Sequence, residues 1–137
     1  IGACKDKTYD LIVLPGGMPG SEHLRDSPVL INMLKRQKEE GRLYAAICAA
    51  PVIAFHSHGL LRDRRFTCHP NFVTFLKDEE PLDVAVVVDE NLITSRGAGT
   101  AVRFALKLVE LLYSQHKAQE VAQGMALTVF QIEWEAC

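Results

Sequence analysis

Leu43-Tyr44-Ala45-Ala46-Ile47-Cys48-Ala49-Ala50-Pro51 is the stretch from which the rest of the chain can be read. An apolar run ends at Cys48. Two alanines and a proline follow, and an apolar helical pattern begins. That order reads as strand, sharp turn, helix, with a thiol at the corner. Ala46 and Ala50 stand two positions either side of Cys48, the spacing of a nucleophile elbow, where the turn is too tight for larger side chains. The start of a helix carries free N–H groups and a partial positive charge, which favour a thiolate over a thiol.

Working outward, Tyr9 to Leu14 is a short apolar run stopped by Pro15-Gly16-Gly17, which reads as a strand buried on both faces and then a loop. Ser27-Pro28 is an N-cap with proline at the first helical position. Val29, Leu30, Met33, Leu34 and Gln37 then keep helical spacing, and Gly41 closes the helix. A short helix is expected over Pro51 to His58, capped by Gly59, and a third strand over Phe66 to Cys68, ending at His69-Pro70. Asn71 to Leu76 reads as a helical turn. Val84 to Val88 and Leu92 to Thr94 flank Asp89-Glu90-Asn91 as a hairpin or a closely spaced strand pair. Gly99-Thr100 opens the longest helix, with Val102, Ala105, Leu106, Val109 and Leu112 on one face. A polar break follows, then an apolar run from Met125 to Phe130 that reads as a last strand.

Alternating strands and helices predict an α/β sandwich with a mostly parallel sheet, as one domain over 1–137. Ligands in such sheets sit at the carboxyl ends of the strands. Gly16-Gly17, Cys48 and His69 all fall at that edge.

The composition bounds the function. The chain has 137 residues, 48% hydrophobic and 23% charged, with a net charge of -2. It is globular, without the basic surplus that would suggest nucleic acid. No apolar stretch approaches the roughly 20 residues of a membrane helix. None of Cys4, Cys48, Cys68 and Cys137 has a C-x-x-C partner, so zinc has no support. Reduced thiols and a cytoplasmic protein are expected. His56 and His58 are two apart on a helix and do not face the same way, so one ion is not expected to be held by both. Arg96 to Thr100 allows an anion site at a helix start, though a glycine-rich turn capped by Thr100 explains it more simply. Glu22, after Ser21, reads as an acidic residue in the first turn of a helix.

Leu14-Pro15-Gly16-Gly17, Ala46-Ile47-Cys48-Ala49-Ala50-Pro51, His69-Pro70 and Ser95-Arg96-Gly97-Ala98-Gly99-Thr100 together resemble the ThiJ/PfpI superfamily, in the branch of the parkinsonism-associated deglycase. The resemblance runs from about Tyr9 to about Leu127. It implies a flavodoxin-like sandwich, usually a homodimer, with cofactor-free glyoxalase or deglycase-like chemistry on small reactive aldehydes. It also implies an oxidisable cysteine and chaperone-like activity. Carried over, Cys48 is the nucleophile, Gly17 and Ala49 supply N–H groups to an oxyanion, and His69 is the nearby imidazole and proton shuttle. No cofactor or metal is implied.

Family members begin with a strand, loop and helix carrying a glutamate that hydrogen-bonds the cysteine. This chain opens at Ile1, after that point in the pattern. It is therefore expected to be part of a longer protein and to turn over little by itself. A sheet without that first strand would leave unpaired backbone groups in the core, each costing about 1–3 kcal/mol. Two alternatives stay open. In one, the protein is a redox sensor or chaperone in which Cys48 oxidises to sulfinic acid without turnover. In the other, it is a peptidase or amidase in which an acid such as Asp78, Glu79 or Glu80 orients His69.

Overall fold

The structure is a computed structural model and describes residues 1–127. Its strands and α-helices run β1 (Leu11–Leu14), α1 (Gly20–Arg25), α2 (Pro28–Glu39), β2 (Leu43–Ile47), β3 (Val86–Asp89), β4 (Leu92–Ser95), α3 (Ala101–Leu112) and α4 (Gln115–Gly124). The four strands form one sheet in the order β1-β2-β4-β3. β1 and β4 flank β2 in parallel, and β3 pairs antiparallel to β4 as the hairpin around Asp89-Glu90-Asn91. The architecture is α/β with a mixed, mostly parallel sheet.

β2 is central because it can be buried on both faces. Tyr44 and Ala46 join Leu14, Leu34 and Phe55 in the larger core cluster. Ala45, pointing the other way, meets Ile93, Phe104 and Leu108 under α3. A strand covered on both sides has no need of polar alternation, which is why Leu43 to Ile47 reads as a continuous apolar run.

α2 follows its sequence signals. Ser27 Oγ accepts from the Leu30 N–H at 3.4 Å, Pro28 takes the first turn, and Leu30, Met33, Leu34 and Gln37 are buried. Gln37 bridges the strand starts, its Nε2 donating to the carbonyls of Tyr9 and Leu43 at 3.0 and 2.8 Å. Asn91, in the hairpin turn, ties β4 to the end of that helix. Its Nδ2 donates to the carbonyls of Gln37 and Arg42 at 3.1 and 2.8 Å. The carbonyl of Gln37, freed at the helix end, also accepts from the Arg42 N–H at 3.0 Å.

Several expectations are corrected. β1 begins at Leu11 rather than Tyr9. Phe66 to Cys68 is extended but forms no strand ladder. Thr67 N–H bonds the Thr94 side chain at 2.9 Å, and the Phe66 carbonyl accepts from Leu82. The helix over Pro51 to His58 is a π turn, Pro51–Phe55, followed by a 3-10 turn, His56–His58, ending at Gly59 with φ +69°. The helical turn near Asn71 is a 3-10 turn over Pro70–Phe75.

On α3 the buried side chains are Phe104, Leu106 and Leu108, while Val102 and Leu112 of the expected stripe are exposed. The polar break is α4, whose buried positions are Ala118 and Ala122. α4 and a turn occupy the chain as far as Leu127, and 128–130 of the expected last strand lie outside the described residues. Glu22 does sit in the first turn of α1. Among the described residues β1 is an edge strand, with Val13 40% exposed. Among those residues it pairs with β2 alone.

Candidate active site

Cys48 follows β2 and turns the chain at φ +67°, in the left-handed region that residues other than glycine rarely adopt. Such a residue costs on the order of 1–2 kcal/mol. Two backbone bonds hold it there. Cys48 N–H donates to the Ser95 carbonyl, and the Cys48 carbonyl accepts from His69 N–H, both at 3.0 Å. Ala46 and Ala50 are fully buried on either side. The sulfur is free and half-buried.

Gly16, at the end of the β1 loop, lies directly on this corner. A Cβ at Gly16 would come within 2.5 Å of Cys48 Cβ and 2.9 Å of the Ile47 carbonyl oxygen. Only glycine fits there. Gly17 takes φ +87°. Among the described residues the amide N–H groups of Gly17 and Ala49 have no hydrogen-bond partner. Both remain free to donate to an incoming acceptor.

The extended 66–69 segment brings His69 to the same edge. Its Nδ1 accepts from the Asn71 N–H at 3.2 Å. That bond assigns the proton of the neutral ring to Nε2. Phe72 meets the ring edge-on at 6.0 Å. Gly97 supplies the third wall. A Cβ there would stand 3.2 Å from His69 Cδ2, 4.0 Å from His69 Nε2 and 3.9 Å from Cys48 Sγ. The imidazole edge and the thiol thus converge on the bare α-carbon of Gly97, without a direct hydrogen bond between them among the described residues.

Gly97 was read as part of a turn. The turn is real: Thr100 Oγ1 accepts from Gly97 N–H at 3.1 Å and meets Ser95 Oγ at 2.6 Å. Its second role as a cradle for the thiol and the imidazole was missed. The signal was present, since a glycine after a strand end permits close backbone approach.

The other candidates separate from the site. Cys68 is 3% exposed and packs in the core. Burial, with a smaller push from Cys48, drives its thiol up to about 11, against an opposing pull from Arg96. His56 Nδ1 pairs with Glu79 at 3.3 Å, and His58 Nε2 meets the Arg25 carbonyl at 2.8 Å. Among the described residues no carboxylate bonds to His69, and the Asn71 amide occupies Nδ1. Cys4 is half-buried near the first residues, and Cys137 lies outside those described.

Residues 1–111 match the DJ-1/PfpI family. The chain belongs to this family. It is 46% identical over 117 residues to Protein DJ-1 homolog B of Arabidopsis thaliana, covering 85% of this chain and 27% of that protein. It is 39% identical over 125 residues to the Glutathione-independent glyoxalase DJR-1.2 of Caenorhabditis elegans, covering 90% and 66%. Oxidized Toxoplasma gondii DJ-1 superposes with a TM-score of 0.88 at 39% identity, over 93% of this chain and 69% of that one. The chain therefore spans 27% and 66% of the lengths of the two relatives.

Proposed function

We propose that Cys48 is the nucleophile of a cofactor-free, glutathione-independent site that converts small 2-oxoaldehydes. The observation that carries this reading is the left-handed turn at Cys48, φ +67°. A strained, non-glycine corner at the carboxyl edge of a parallel sheet is how a fold exposes a nucleophile, and its cost calls for a functional reason. The names of the Caenorhabditis elegans and Schizosaccharomyces pombe relatives, both glutathione-independent glyoxalases, support the reaction class.

In this reading the Cys48 thiolate adds to the aldehyde carbon of a substrate such as methylglyoxal. A C–S bond forms and the carbonyl π pair moves onto oxygen. The free amides of Gly17 and Ala49 receive that oxyanion. The hydrogen on the former aldehyde carbon then transfers as a proton to the neighbouring carbonyl carbon. One carbon is oxidised and the other reduced, so no external oxidant is needed. Water hydrolyses the resulting 2-hydroxyacyl thioester and frees the thiol.

With Nδ1 occupied, neutral His69 offers Nε2–H as a donor. That favours a role in protonating oxygen over one in removing the carbon-bound proton, which falls to a base elsewhere. Glutathione-free aldehyde consumption by the protein that contains this chain tests the reading. It is expected to vanish in Cys48→Ala and to fall about 10²-fold in His69→Ala. Consumption retained in Cys48→Ala would overturn it.

A second reading keeps the thiol and drops the turnover. The free, half-buried sulfur of Cys48 also suits oxidation to a sulfinate, whose oxygens the unpaired amides of Gly17 and Ala49 would hold. Mild peroxide, followed by peptide mass measurement, is expected to add two oxygens at Cys48 and none at Cys68. Addition at Cys68 as readily as at Cys48 would argue against it.

A further inference from the structure

Ser95 and Thr100 join the site to the end of the sheet through one directed chain of hydrogen bonds. Ser95 closes β4 opposite Ile47 of β2 and is fully buried. Its carbonyl accepts the Cys48 N–H at 3.0 Å. Its hydroxyl donates to the Ala85 carbonyl at 2.7 Å, a group that can only accept. The one hydroxyl proton of Ser95 is thereby placed. At the 2.6 Å contact between the two hydroxyls, Thr100 Oγ1 is therefore the donor. Thr100 Oγ1 in turn accepts from Gly97 N–H at 3.1 Å. The Gly97 carbonyl has its own partner, the Thr100 N–H at 3.0 Å. The order runs from Gly97 N–H to Thr100, from Thr100 to Ser95, and from Ser95 to Ala85. Each hydroxyl gives once and accepts once, and a satisfied network of this kind fixes a single geometry.

The chain starts at the residue that stands between imidazole and thiol. A Cβ on Gly97 would lie 3.2 Å from His69 Cδ2 and 3.9 Å from Cys48 Sγ, so the Gly97 backbone backs the ring at Cδ2. Cδ2 is bonded to Nε2, the nitrogen that carries the ring proton. The Asn71 N–H holds the ring at Nδ1, 3.2 Å away. The ring is thus fixed at two edges, one of them by Gly97. A cap on the turn requires only the Thr100–Gly97 pair. The onward bond to a buried serine, whose carbonyl also holds the Cys48 amide, goes beyond that need.

We propose that Thr100 is a positioning residue for the reaction at Cys48. Through Gly97 it keeps the His69 ring turned so that Nε2–H meets the oxygen of the bound aldehyde. Through Ser95 it ties that ring to the corner that carries the thiol. This rests on Cys48 being the nucleophile and His69 the proton donor.

Thr100→Val keeps the shape of the side chain and removes the hydroxyl, and Thr100→Ser keeps the hydroxyl. In the protein that contains this chain, kcat for methylglyoxal is expected to fall about tenfold in Thr100→Val and to recover to within about twofold in Thr100→Ser. KM should not move, because the groups proposed to hold the aldehyde are Cys48 and the amides of Gly17 and Ala49. Ser95→Ala breaks the chain one bond further on and should give a smaller loss of the same kind. In a His69→Ala background, Thr100→Val should slow the reaction no further, since its effect passes through the ring. An NMR cross-peak between the Gly97 α-protons and His69 Hδ2 reads the contact without any aldehyde. It should be present in the wild type and Thr100→Ser and lost in Thr100→Val. A cross-peak of full strength in Thr100→Val, or a tenfold loss repeated in the His69→Ala background, would overturn the role of Thr100 and leave the nucleophile standing. An intact cross-peak in a wild-type protein that consumes no aldehyde would overturn the nucleophile, and the positioning role with it.

Discussion

Cys48 carries a side chain where the backbone favours none, and that yields a prediction free of any assumption about substrate. Cys48→Gly and Cys48→Ala both remove the sulfur, but only glycine relaxes at φ +67°. The glycine variant should be the more stable by about 1 kcal/mol in urea unfolding. Equal stability would mean that the corner holds no strain. The two site glycines should differ. Gly16→Ala places a Cβ 2.5 Å from Cys48 Cβ and should cost about 1–3 kcal/mol. Gly97→Ala meets the end of the His69 ring at 3.2 Å, so it should leave stability within about 1 kcal/mol and instead slow aldehyde consumption. At this scale the elbow was legible because its signal is local: small residues two either side of a thiol. The role of Gly97 and the Asn71 bond to His69 were not, because each depends on how separate segments meet.

Among the elements, α2 and the hairpin are joined by one polar side chain. Asn91 is 7% exposed, and its Nδ2 supplies the carbonyls of Gln37 and Arg42. Asn91→Ala strands the Arg42 carbonyl, while the Gln37 carbonyl keeps the Arg42 N–H at 3.0 Å, and should cost about 1–3 kcal/mol, read as a shift of the urea midpoint without a change in slope. Ser27→Ala removes only a long N-cap bond of 3.4 Å and should cost about 1 kcal/mol or less. A reversed order would contradict the claim that Asn91 anchors the hairpin to α2. α2 and the hairpin were readable from cap, period and turn. α4 was not, because alanine carries its buried face at Ala118 and Ala122 and leaves no apolar stripe. Phe66 to Cys68 has strand composition, yet its Thr67 amide goes to the Thr94 side chain instead of a ladder.

For the whole molecule, stability should fail on the alkaline side through two groups in the core. Burial raises Cys68 from 9.0 to about 11, and burial is also the main cause that raises Tyr44 from 10.0 to about 12. Both folded values lie above the unfolded ones, so this stability is intact at neutral pH. It is lost as pH rises through about 11 and then about 12. Tyr44 also donates to the Leu60 carbonyl at 2.9 Å. Tyr44→Phe should therefore be less stable at neutral pH by about 1–3 kcal/mol, with a shallower loss at high pH. The order of elements and the carboxyl-edge site were legible from alternation of strand and helix. The central claim is that Cys48 adds to an aldehyde. Methylglyoxal followed by iodoacetamide, read peptide by peptide without glutathione, tests it most directly. Rapid labelling of Cys48, saturable protection of it by the aldehyde, and little labelling of Cys68 at neutral pH are expected. Labelling of Cys48 that is no faster than that of Cys68, or that methylglyoxal leaves unchanged, would contradict it.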